Sequence, residues 1–144
     1  MPGAKLDFNC TKQELDETVC KNGLLQYNIE ATNGLLLEPS ITDIKIVVRE
    51  DNGDVVGGIL CDTFNRCLYI DVLWVAGSHR GQGWGYRLIT EAERIAREAG
   101  CTFAHTCTFS YQSPDFYQRQ GYEVFGRLDD YPEGIIQFFL KKKL

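Results

Sequence analysis

Apolar positions along this chain follow two periods. Ile44 to Arg49 is rich in β-branched residues, and the turn signal Asp51-Asn52-Gly53-Asp54 joins it to Val55-Val56-Gly57-Gly58-Ile59-Leu60, which predicts a hairpin. Asn65 and Arg66 turn the chain again into Cys67–Val75, a nine-residue apolar run interrupted only by Asp71 and long enough for a central strand. From Gly85 the period lengthens. Leu88, Ala92, Ile95, Ala96 and Ala99 recur at helical spacing, Glu93 with Arg97 and Arg94 with Glu98 pair on the expected wet face, and Gly100 ends the helix. Cys101–Phe109 then alternates as a strand. A long helix between two strands predicts parallel neighbours, a βαβ unit.

The flanks carry weaker signals. Thr11 and Glu14 have capping-box spacing, predicting a first helix to about Asn22 that ends at Gly23. A second short helix is expected from Leu24 to Thr32, stopping at Asn33 and Gly34. Ser113-Pro114 supplies an N-cap and a first-turn proline for a helix through Gln118 or Arg119, ended by Gly121. Tyr122–Phe125 and Ile135–Lys141 read as closing strands around the acidic turn Asp129-Asp130-Tyr131-Pro132-Glu133-Gly134. The class is α+β around a mixed sheet. With no repeat, low-complexity tract or linker, residues 1–144 read as one domain.

Composition narrows the chemistry. At 144 residues, 44% hydrophobic and 24% charged, the chain can bury a core unaided, and no run approaches the roughly 18 apolar residues of a membrane helix. A net charge of −5 disfavours a protein built to grip a nucleic-acid backbone. No export signal opens the chain, so a cytoplasmic location is expected and Cys10, Cys20, Cys61, Cys67, Cys101 and Cys107 read as buried thiols rather than disulfides. Cys107, near a strand end, stays open as a reactive thiol. No CxxC spacing occurs and only two histidines exist, so no metal site is expected.

The corner after Val75 carries the most specific signal. A helix start leaves backbone amides without partners and places partial positive charge there, which suits a phosphate. Gly81, Gly83 and Gly85 permit unusual backbone angles and close ligand approach, and Arg80 can add a charge-assisted bond. The GxxxxGK[ST] loop is absent, and the glycine spacing is not that of a dinucleotide fingerprint. Residue chemistry alone leaves phosphate binding and a structural tight turn both open.

Arg80-Gly81-Gln82-Gly83-Trp84-Gly85 resembles the RxxGxG signature of the GCN5-related N-acetyltransferase (GNAT) superfamily, small bacterial-type members in particular. "SYQSPDFYQRQGYEVFG", Ser110 to Gly126, is similar to that family's segment in which a short helix carries Phe-Tyr before a glycine and an aromatic. The resemblance implies a GNAT-like central mixed sheet of about six to seven strands with a parallel βαβ core, flanked by about four helices. It implies acetyl-CoA as co-substrate, with the diphosphate on amides from about Gln82 to Tyr86. The backbone of Leu73, Trp74 and Val75 would pair with the pantetheine arm like an added strand. The two parallel strands would splay to admit the thioester.

By the same resemblance Tyr117 takes the place of the tyrosine acid that protonates the departing thiolate; its other reading is a core aromatic. A strand amide near Val75 would meet the oxyanion. Asp71 is the acid of the Cys67–Val75 strand, and alternation puts it on one face with Tyr69, Leu73 and Val75, as a base, a structural acid or a substrate contact. His105 on the next strand and His79 beside Arg80 read more simply as structural and solvated. Ser110 stands where relatives carry an asparagine near pantetheine, and serine shortens that reach. Asp129, Asp130 and Glu133 would draw a cationic amine, or form a solvated turn. Lys141-Lys142-Lys143 would keep the last strand soluble.

The expected activity is N-acetyl transfer to a primary amine of a small molecule or peptide, directly within a ternary complex. A non-catalytic acyl-CoA sensor of the same fold is the alternative. No nucleic-acid or membrane partner is expected, and the resemblance allows a homodimer.

Overall fold

The computed structural model describes residues 3–9, 19–35 and 43–144, and the chain divides into two compact units, residues 1–38 and 39–144. In the first unit, helix α1 (Val19–Ala31) runs unbroken through Gly23, which corrects the two-helix reading. One glycine costs about 1 kcal/mol in a helix interior, too little to end it. The stop falls where the sequence places it. Asn33 and Gly34 adopt φ of 50° and 77°, and the Gly34 amide donates to the Ile29 carbonyl at 2.9 Å. The Thr11–Glu14 capping box lies outside the described residues.

The second unit contains β1 (Asp43–Arg49), β2 (Val55–Phe64), β3 (Cys67–Val75), α2 (Trp84–Glu98), β4 (Phe103–Phe109), α3 (Pro114–Arg119), β5 (Glu123–Leu128) and β6 (Gln137–Lys143). Its six strands form one mixed sheet in the order β1-β2-β3-β4-β6-β5. Among the described residues only β3 and β4 pair in parallel, as expected of strands joined through a helix. Three helices occur among the described residues, against the four or so expected. Ser113 occupies the N-cap of α3 without a side-chain capping bond, so the proline after it marks the start of this helix.

The core lies between α2 and one face of the sheet. Ile59, Leu68, Ile70, Ile89 and Leu140 are fully buried, and the small side chains of Ala92 and Ala96 let the helix come close. Glu93, expected on the wet face, is buried with them, its side chain 4% exposed. A helical period gives the spacing of a buried stripe but not its width, and Lys142 on β6 neutralises the carboxylate at 2.7 Å.

A β-bulge decides what β3 presents. Leu60 pairs with Val72 but Cys61 pairs with Ile70, so Asp71 is the extra residue. The alternation therefore shifts at Asp71. Leu68 and Ile70 before it, and Leu73 and Val75 after it, all pack on the core, while Asp71, Val72 and Trp74 are exposed. Asp71 does not share a face with Leu73 and Val75, because strict alternation fails across an inserted residue.

Candidate active site

The glycine corner is an open cradle. Gly81 and Gly83 take φ of 75° and 83°, and nothing lies within 4 Å of where a side chain would begin at either. Glycine stands there for backbone conformation. Gly85 serves packing: a Cβ would sit 3.2 Å from the Phe116 ring of α3. The first hydrogen bond of α2 runs from the Arg87 amide to the Gly83 carbonyl at 3.0 Å, and none of the amides from Gly81 to Tyr86 has an acceptor among the described residues. Six such donors at a helix start suit a diphosphate. Tyr86 is exposed, Trp84 is half-buried, and Arg87 lies over the Trp84 ring at 4.5 Å. The side chain of Gln82 turns back to the Ser78 carbonyl at 3.4 Å. Arg80 braces the corner through Nε, which donates to the Val75 carbonyl at 3.0 Å. His79 is neither solvated nor turned to the cradle: its Nε2 lies 2.7 Å from Glu50, and its Nδ1 bonds Ser78 at 2.8 Å.

Beside the cradle the sheet opens. β3 and β4 pair from Cys67 with Phe103 to Ile70 with Thr106 and no further, so Asp71–Val75 and Cys107–Phe109 border a gap. The Thr106 hydroxyl closes its apex by donating to the Ile70 carbonyl at 2.9 Å. Tyr117 faces Thr106 from α3, 7% exposed, its ring edge-on to Phe116 and to Tyr122 at centroid distances of 5.4 and 5.8 Å. Burial pushes its phenol up to about 12, so at neutral pH it holds a proton it can donate.

Comparison with known proteins fits this geometry. The family model for the acetyltransferase (GNAT) family matches residues 20–122. This chain belongs to that family. It is 41% identical over 95 residues to the blasticidin-S acetyltransferase of Streptomyces morookaense, spanning 65% of this chain and 70% of that protein. It is 30% identical over 127 residues to acetyltransferase Atu2258 of Agrobacterium fabrum, spanning 88% and 90%. The crystal structure of an acetyltransferase from Bacillus cereus superposes with a TM-score of 0.86 at 34% identity, covering 97% of this chain and 98% of that one. As a GNAT member the chain is an acetyl-CoA-dependent acetyltransferase.

The outer face of this acetyltransferase's sheet carries a different set of groups. Asp43 on β1 and Asp62 on β2 stand directly opposite each other, and Asp62 pairs in turn with Tyr69. A hydrogen bond shared with Asp43 holds the Asp62 carboxyl above its usual range. Burial, the Cys107 contact at 3.9 Å and the carboxylates of Asp71 and Asp62 push the Tyr69 phenol up to about 12. The His105 ring lies tilted against Tyr69 at a centroid distance of 4.9 Å, and partial burial lowers its pKa. The cysteine reading holds for Cys61, Cys67 and Cys101, which are buried, and needs correction for Cys20, which is exposed on α1. Cys107 is half-buried, and Cys10 lies outside the described residues.

Ser110 turns toward the loop before β6. Its amide donates to the Ile136 carbonyl at 2.7 Å and its hydroxyl accepts from the Ile136 amide at 3.1 Å, so the hydroxyl is held by this loop. In the acidic turn Asp129 pairs with Arg127, whereas Asp130 and Glu133 are exposed. Sequence reasoning missed Gln112, which caps the β4 margin of the gap by accepting from the Phe109 amide at 2.8 Å, and missed Thr106 at the apex. Neither has a sequence signature, since each matters only where two strands separate. Among the described residues no helix is long and apolar enough to cross a membrane, and no group of three or more potential ligands could hold a metal.

Proposed function

We propose that this acetyltransferase moves the acetyl group of acetyl-CoA to a primary amine of a small cationic acceptor, by direct attack within a ternary complex. Residues 1–144 act in this reading as one acetyltransferase domain, since the family match runs across both compact units. The observation that carries the reading is the row of unengaged amides from Gly81 to Tyr86 beside a strand gap floored by Tyr117.

Acetyl-CoA supplies the activated acyl group and a thiolate leaving group. The amides of Gln82 to Tyr86 hold the diphosphate, and Arg80 keeps the corner in shape by holding the Val75 carbonyl. The gap-side backbone margin of Leu73, Trp74 and Val75 receives the pantetheine arm as an added strand, and an amide near Val75 faces the developing oxyanion. Tyr117, still protonated at working pH, hands its proton to the sulfur. Asp71, exposed at the bulge where the gap opens, takes a proton from the incoming ammonium. Asp43, Asp62, Asp130 and Glu133 give the acceptor side a negative field, which favours a cationic amine. Asp71 also strengthens that field.

The test is thiol release from acetyl-CoA across blasticidin-S, polyamines, aminoglycosides, amino acids and peptides. The relative at 41% identity makes blasticidin-S the first compound to try. At least one small cationic amine should give an acetylated product, and Tyr117→Phe should lower kcat while leaving CoA affinity within about 2-fold. No calorimetric binding of CoA, or binding with no turnover of any amine, would sink the enzymatic mechanism.

A further inference from the structure

The charged cluster around Glu93 is one that stability alone does not explain. Glu93 sits on α2 with its side chain 4% exposed, and Lys142 of β6, 23% exposed, approaches it at 2.7 and 3.1 Å. Arg97 lies 3.4 Å from Oε2, and the Tyr122 hydroxyl donates to Oε1 at 3.4 Å. Taking a carboxylate such as that of Glu93 out of water is costly, and an apolar set of the same volume is often as stable or better.

The cluster's contacts converge on Tyr117. The Tyr122 amide donates to the Tyr117 carbonyl at 3.0 Å and the Tyr122 ring flanks that of Tyr117, so the position of one ring limits the other. The Lys142 ammonium lies 5.5 Å from the Tyr122 ring, and its stem runs 3.5 Å from where a Cβ of Gly121 would stand. Gly121, at φ 92°, is the bend by which the chain leaves α3. Burial, then the Glu93 carboxylate, holds the Tyr122 phenol far above its usual range, so it stays a donor to Glu93. Glu93 is carried by the helix whose first turn forms the amide cradle, two and a half turns away.

We infer that Glu93, with Lys142 and Tyr122, is a positioning residue that fixes the Tyr117 phenol relative to the amide cradle, tying the proton donor to the helix that holds the cofactor. The inference rests on Tyr117 as proton donor. Because misplacing a catalytic group by about 1 Å can cost up to 100-fold, a brace of this kind acts on kcat and not on cofactor affinity.

The test uses four full-length proteins, wild type, Tyr122→Phe, Tyr117→Phe and the double variant, together with the charge-free pair Glu93→Gln/Lys142→Met. Each is assayed by thiol release from acetyl-CoA, to butylamine or to water, alongside its melting temperature. Tyr122→Phe should lower kcat about 5-fold and the charge-free pair about 10-fold, with KM for acetyl-CoA within 2-fold. The charge-free pair should melt within a few degrees of wild type. In the Tyr117→Phe background, Tyr122→Phe should add no further loss. A large effect of Tyr117→Phe with the full Tyr122→Phe loss repeated on top of it overturns the positioning role alone. An unchanged kcat in Tyr117→Phe overturns the proton-donor assignment, and the positioning role with it.

Discussion

The two margins of the strand gap are built from different material. On the α2 side the groups offered to a ligand are main-chain amides from Gly81 to Tyr86, with no acceptor in the described chain. On the β4 side side chains close the margin. Gln112 accepts from the Phe109 amide and from the Thr108 hydroxyl at 2.8 and 3.2 Å, Ser110 bridges to Ile136, and Tyr131 donates to Gln137 at 2.9 Å while meeting the Phe109 ring edge-on. An amide cradle suits any chain bearing a diphosphate, whereas a side-chain margin can be rebuilt residue by residue. In the proposed reading the first half of the site binds the cofactor and the second selects the acceptor.

The largest way to break this comparison is Gly83→Val. A β-branched residue at φ 83° is strained and puts bulk where a phosphate must approach, so calorimetry should show CoA affinity falling on the order of 100-fold. Unchanged affinity in a folded variant would mean that the cradle is not what holds the cofactor. A smaller effect is expected of Tyr131→Ala, which removes the ring against Phe109 and the bond to Gln137. It should raise KM for the acceptor about 5-fold and leave the CoA dissociation constant alone. Equal weakening of both would show that the margins are not separable.

Gly85→Ala sharpens the contrast within the cradle. Its Cβ would press on the Phe116 ring at 3.2 Å, so the expected result is about a 2-fold fall in kcat, with cofactor affinity nearly kept. A loss as large as that of Gly83→Val would contradict the packing role. The smallest effect belongs to His105. Its folded pKa is lowered by burial, so the folded protein binds fewer protons than the unfolded chain and stability falls as pH drops. Between about pH 7 and pH 5 the wild type should lose about 1 °C more in melting temperature than His105→Gln, and an equal slope for both would refute it.

Much of the fold was legible because its signals are local. The boundaries Cys67–Val75, the turn at Asn65 and Arg66, and the helix stops at Gly34 and Gly100 follow from residues adjacent in the chain. Gly23 was misleading because a glycine inside a helix and one that ends a helix look alike until neighbouring turns are known. Among candidate site residues, the glycine corner stood out through its spacing and Tyr117 through the family resemblance of its segment, but His79 and Ser110 could not be placed, because their partners Glu50 and Ile136 lie on other elements.

By itself, the sequence determined where the backbone could turn left-handed and leave amides free, since glycine's conformational range is a property of the residue. It likewise determined the helix and strand periods on either side of that corner. Only the tertiary structure decided which way Asp71 faces, because the bulge is a mismatch between β3 and β2. It also decided that Glu93 is buried, because the cation that makes burial tolerable is Lys142, 49 residues away. Facing and charge compensation are relations between distant segments, and no local pattern encodes them.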